Sequence, residues 1–130
     1  MLYFDASALV KLVASEPETE ALRGYLSQRP DMPRFSSMLV QAELLRTARR
    51  GGPKAVVTAR RVLTSFYLVD VTRDVLERAG MVDAGAGLRT LDAIHLVTAA
   101  TAEERLTAVV TYDLRMAQAA EAMGFAVAAP

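Results

Sequence analysis

The chain has 130 residues, fifteen acidic side chains against fifteen basic ones, a single histidine and no cysteine. That length suits one domain built on one core, and the balanced charge announces neither a nucleic-acid nor a membrane partner. The lack of cysteine excludes disulfides, thiolate nucleophiles and thiolate metal sites.

Short continuous apolar runs alternate with stretches of helical spacing, the pattern of βα units on a parallel sheet. Leu2 to Phe4 reads as a buried strand running into Asp5, after which Ser7 caps a helix to about Ala14. Ser15, Glu16, Pro17 and Glu18 have the form of a capping box opening a second helix to about Gln28. Pro30 and Pro33 close it, and Arg34 to Ser36 forms a short strand. Ser36 or Ser37 caps a helix from Met38 to Arg50, which Gly51, Gly52 and Pro53 end; another runs from Pro53 to about Ser65.

Phe66 to Val71 reads as a strand, Thr72 caps a helix to about Ala84, and Gly85 and Gly87 break it. Thr90 then caps a helix beginning Leu91, Asp92, Ala93. Ala108 to Thr111 is a strand that passes through Tyr112 into Asp113, where a helix runs to Met123; Gly124 stops it before a last strand, Phe125 to Ala128. The N-terminal residues make a poor signal peptide, with Asp5 inside the apolar run and no basic flank before it. No apolar stretch approaches the roughly 20 residues that cross a bilayer. The expectation is a soluble, cytoplasmic protein.

Asp5 and Asp113 both fall where a strand stops, and the carboxyl ends of parallel strands form the ligand crevice of open α/β sheets. Two acids sharing such a pocket imply a bound cation or a shared proton. Glu43, flanked by Ala42 and Leu44, reads singly as the polar position of an amphipathic helix, and Asp92 as a first-turn acid favoured by the helix dipole. His95, on the same face as Asp92, reads as a core histidine. With one histidine and no cysteine, an oxygen-rich site suits Mg²⁺ or Mn²⁺ better than zinc. No acid lies between Glu43 and Asp70, whereas Arg46, Arg49, Arg50, Lys54, Arg60 and Arg61 all do; this basic stretch reads either as a solvated helical face or as a phosphate-binding patch.

Asp5-Ala-Ser7-Ala-Leu-Val-Lys-Leu, Ala42-Glu43-Leu44, Leu88-Arg89-Thr90-Leu91-Asp92-Ala93-Ile94-His95-Leu96 and Thr111-Tyr-Asp113 together resemble a PIN domain, and more narrowly the VapC toxins of toxin–antitoxin pairs. The likeness runs through essentially the whole chain. It implies one PIN domain over residues 1–130, a three-layer α/β/α sandwich with a central parallel sheet. It also implies that Asp5, Glu43, Asp92 and Asp113 converge on one or two Mg²⁺ or Mn²⁺ ions, with Ser7 and Thr111 orienting the carboxylates. The implied activity is a metal-dependent endoribonuclease acting on tRNA or rRNA. The implied partners are the RNA, a VapB-type antitoxin through which DNA is met only indirectly, and a second copy of the chain in a homodimer. Arg89 is expected to pair with an acid, substrate contact being the second option.

Two other classes compete. A receiver-like phosphoacceptor domain would use Asp70 as acceptor and Thr111 as switch hydroxyl, yet no lysine ends the last strand and Asp5 stands alone after the first. A catalytically inactive PIN-like binding module would keep the fold without binding metal.

Overall fold

The run Leu2–Phe4 forms β1, buried at every residue, and lies at the centre of a five-stranded sheet. A strand without an exposed face belongs inside a parallel sheet covered on both sides. The other strands are β2 (Arg34–Ser37), β3 (Tyr67–Val69), β4 (Ala108–Val110) and β5 (Val127–Ala128), in the order β3-β2-β1-β4-β5 with every pairing parallel. The computed structural model describes residues 1–83 and 87–130.

Side chains alternate across β1. Leu2 and Phe4 face a layer made by α1 (Ala6–Val13), α2 (Thr19–Ser27), α3 (Leu39–Ala48) and α4 (Pro53–Leu63), packing with Leu9, Leu22, Val40 and Leu44. Tyr3 points to the opposite face, with Phe35, Val109, Leu96 and Met116, under α6 (Thr90–Ala100) and α7 (Leu114–Ala122). There α5 (Arg73–Met81) joins through Val75 and Ala79, packed on Ala93, Ile94 and Val97 of α6. Each fully buried Leu or Phe contributes about 1.5–3 kcal/mol by leaving water. The result is the expected three-layer α/β/α sandwich. Among the described residues, no helix is long and apolar enough to cross a membrane.

The sheet order bears on the competing readings. Receiver domains carry their strands in the order 2-1-3-4-5. Here β1 pairs with β2 on one side and β4 on the other, and Asp70 is exposed beyond the edge strand β3.

Several element ends differ from the sequence expectation. The cap of α1 is Asp5, whose side chain accepts the Ala8 N–H at 3.0 Å; Ser7 lies within the helix. The expected box at Ser15 does not form. Helix α2 begins at Thr19, whose hydroxyl accepts from the Glu16 N–H and donates to the Lys11 carbonyl, while the Glu16 and Glu18 carboxylates turn to the Lys11 ammonium. Ser36 and Ser37 belong to β2; the Ser36 hydroxyl is committed to the Phe4 carbonyl at 2.6 Å, while Ser37 Oγ accepts the Leu39 N–H at 3.4 Å at the start of α3. At α6 the cap position is Arg89 rather than Thr90, and its N–H is received by the Asp92 carboxylate at 3.3 Å. Helix α3 gives way to a 3₁₀ turn at Arg49–Gly51, and Gly52, at φ 86°, supplies the left-handed step into Pro53. Ala84 and Gly85, expected at the end of α5 and at its break, lie outside the described residues.

Candidate active site

In an open α/β sheet the crevice lies where the strand order reverses, outside the carboxyl ends of the strands. The chain leaves β1 towards β2 on one side and reaches β4 on the other, so that point is the β1–β4 seam. Asp5 sits at the end of β1 and Thr111 at the end of β4, and they meet: the Thr111 hydroxyl donates to Asp5 Oδ2 at 2.7 Å. Ser7 Oγ donates to Asp5 Oδ1 at 2.7 Å and accepts the Tyr112 N–H at 2.8 Å, while Thr111 Oγ1 accepts the Asp113 N–H at 3.1 Å. Three donors thus fix a carboxylate that is only 6 % exposed. Burial nevertheless pushes the Asp5 carboxyl above its usual range, outweighing the bonds from Thr111, Ala8 and Ser7 that favour the ion.

A second acid is held differently. Glu43, on α3, accepts at Oε2 from His95 Nε2 at 2.8 Å, and His95 Nδ1 lies 2.5 Å from the Tyr3 hydroxyl. Burial raises the Tyr3 pKa well above its normal value, so the phenol keeps its proton; a phenol that donates to Nδ1 leaves the ring's N–H on Nε2, facing Glu43. The Ser37 N–H donates to the Tyr3 oxygen at 3.3 Å. His95 is therefore the satisfied core histidine expected, and it also fixes one of the candidate acids. Tyr3 is the residue sequence reasoning missed. A tyrosine in an otherwise apolar buried strand was the available signal, because a buried phenol needs a partner.

Asp92 sits one helical turn before His95 on α6, and Asp113 caps α7 by accepting the Arg115 and Met116 N–H groups at 2.8 and 3.1 Å. The structure thus brings Asp5, Ser7, Thr111 and the Asp113 backbone into one network, and Glu43, His95 and Tyr3 into another beside it. A cavity lined by Glu43, Ala6 and Leu91 places Glu43 next to the immediate neighbours of Asp5 and Asp92. Among the described residues, no three acidic or histidine side chains converge closely enough to hold one ion. Arg89 departs from expectation, since its guanidinium makes no ion pair among the described residues.

The donor set is entirely oxygen, which suits a hard divalent cation. Glu43 Oε1, Asp92 Oδ1 and Asp113 Oδ2 accept no hydrogen bond among the described residues, and none of the four acids pairs there with lysine or arginine. A buried carboxylate with a raised pKa and no lysine or arginine paired to it among the described residues is one that a bound cation would stabilise.

The PIN domain family matches residues 2–122. Ribonuclease VapC46 of Mycobacterium tuberculosis is 46% identical over 129 residues, spanning 99% of this chain and 97% of its own. In fold, the chain is similar to a toxin-antitoxin complex from Klebsiella pneumoniae, with a TM-score of 0.74 at 22% identity over 100% of this chain and 98% of that one. It is equally similar to Mycobacterium tuberculosis VapC20, a Sarcin-Ricin loop cleaving toxin, with a TM-score of 0.74 at 21% identity over 100% of both chains. The chain belongs to the PIN domain family, among its VapC ribonucleases.

Proposed function

We propose that residues 1–130 act as one PIN domain, a Mg²⁺- or Mn²⁺-dependent endoribonuclease that is the toxin of a VapBC-type pair and cuts tRNA or rRNA in the cytoplasm. The observation that supports this most is the Asp5 carboxylate, buried at the β1–β4 seam and pinned by Ser7, Thr111 and Ala8 with no cationic partner among the described residues. Family membership supplies the reaction class. A VapB-type antitoxin, a homodimer and indirect DNA contact through the antitoxin complete the reading.

Asp5, Asp92, Asp113 and Glu43 are the groups that would hold one or two ions, although among the described residues no three of them stand close enough to share one. When bound, such a cation would supply a water of lowered pKa and offset charge on the phosphoryl oxygens. Ser7 and Thr111 keep Asp5 from rotating, and the capping bonds leave Asp92 Oδ1 and Asp113 Oδ2 free to ligate. His95 holds Glu43 by Oε2, which leaves Oε1 to orient the attacking water or a second ion.

Mapping new 5′ ends in total RNA after brief expression tests the reading, with Asp5→Asn as control. New ends in the parent and none in the variant support it; equal ends in both, or none in the parent, overturn it. Calorimetry with Mn²⁺ separates the inactive module, which would show no binding in the parent.

A further inference from the structure

The six basic residues between Glu43 and Asp70 are not used by the acids described above. Three of them cluster. Arg46, Arg49 and Arg50 line one open cavity of about 390 Å³ at the end of α3 and its 3₁₀ turn. Arg46 and Arg50 also line the adjoining cavity, of about 440 Å³, which contains Glu43, Ala6 and Leu91. The arginines are exposed, and none is ion-paired among the described residues.

One basic side chain in the last turn of a helix is explained by the dipole, and Arg46 alone supplies it. Three guanidinium groups around one cavity repel each other and find no carboxylate there, so the arrangement is suited to an anion. Guanidinium is the side chain that engages phosphate through two parallel N–H bonds. Position decides which anion. Arg46 follows Glu43 at i+3 on α3, about 4.5 Å along the axis, and Arg50, in the 3₁₀ turn beyond the helix end, lines the same cavity farther from Glu43 in the chain. The nearer guanidinium therefore addresses a phosphate at or beside the one being cut, and the farther one a neighbour along the strand.

We infer that Arg46, Arg49 and Arg50 form a phosphate-binding track that seats single-stranded RNA alongside Glu43 and sets the direction in which the strand leaves the cleft. The track rests on the nuclease reading for the chemistry at its inner end. Its own function is positioning: backbone contacts fix register and carry no base preference. The near-zero net charge of the chain is compatible with this, since the basic side chains are concentrated where the substrate lies.

The test uses the full chain and its Arg46→Ala, Arg49→Ala and Arg50→Ala variants, singly and together, with Arg→Lys at each position as the charge-preserving control. Binding of a fluorescein-labelled single-stranded RNA is titrated in EDTA across a salt series, so that the readout does not depend on cleavage. Each alanine is expected to weaken binding several-fold and to lower the salt slope by roughly 0.7, giving a loss of about 2 for the triple variant, while the lysine variants keep most of the slope. In the cleavage assay the effect falls on KM more than on kcat. A triple variant with the parent's affinity and salt slope overturns the track, including when it has lost binding to a protein partner instead. Parent protein that shows no Asp5-dependent cleavage defeats the nuclease reading separately, because the EDTA titration still decides the track.

Discussion

Asp5 and Glu43 are both acids at the carboxyl end of the sheet, yet the protein secures them in opposite ways. Asp5 is nearly sealed and receives three hydrogen bonds, one from Thr111 at the end of β4 and two from Ser7 and Ala8 at the start of α1. Glu43 is 28% exposed and is held by one nitrogen, itself fixed by a phenol in the central strand. The first arrangement immobilises both oxygens at a cost in desolvation. The second leaves one oxygen available and stores its precision in the core. Asp5 is held from the chain segments beside it, whereas Glu43 is steadied from behind and keeps one oxygen free of hydrogen bonds among the described residues.

The contrast is broken most severely at Asp5. Asp5→Asn is expected to reduce RNA cleavage to background while keeping the α1 cap, since asparagine caps as well as aspartate. In EDTA at neutral pH the variant should melt above the parent. The sign follows from the raised pKa: the fold favours the protonated carboxyl, so that contribution is present at acid pH and is lost as pH rises through the raised value. The two melting curves should therefore meet in acid. Adding Mn²⁺ should stabilise the parent and leave the variant unmoved. A variant that cleaves at the parent's rate, or that melts below it in EDTA, removes Asp5 from this role.

His95→Phe addresses the other arrangement. It orphans the Tyr3 hydroxyl, at about 1–3 kcal/mol of stability, and is expected to cost 10–100-fold in activity as Glu43 loses its support. Adding Tyr3→Phe should recover part of the stability and none of the activity, which separates packing from positioning. Recovery of both in the double variant would show that Glu43 does not depend on the ring. Thr111→Val, which deletes one of the three donors to Asp5, should weaken Mn²⁺ binding about 10-fold by calorimetry. The smallest effect belongs to an ion pair that touches neither Asp5 nor Glu43. Lys11→Met removes the link to Glu16 and Glu18 and should shift the melting temperature only slightly, since solvent screens these carboxylates. Because Lys11 lowers the Glu18 pKa, that contribution is present above the ordinary carboxylate range and is lost as pH falls through the lowered value.

What the sequence reveals and hides follows the same division. Leu2 to Phe4 and Ala108 to Val110 are legible as strands because unbroken apolar runs suit a sheet buried on both faces, and their terminal acids are legible with them. Ser7 and Thr111 are close in sequence to those acids, and both donate to Asp5. Helix starts were less legible. Ser7, Ser36 and Thr90 have the right chemistry for caps, but competing partners claim Ser7 and Ser36, and Asp92 satisfies the start of α6 from inside the helix. The link between His95 and Glu43 spans 52 residues, and helical spacing reports which face a residue occupies without naming what lies opposite it. Its partner follows only from the sheet order.

The pairing of β1 with β4 has a consequence in time. Asp5 and Thr111 are separated by 106 positions along the chain. A ribosome adding about 5–20 residues per second makes the first of them roughly 5–20 s before the second. Through that interval Asp5 has neither its neighbouring strand nor its Thr111 donor. The surroundings of Asp5 are therefore complete only once β4 has paired with β1, late in the chain's own synthesis.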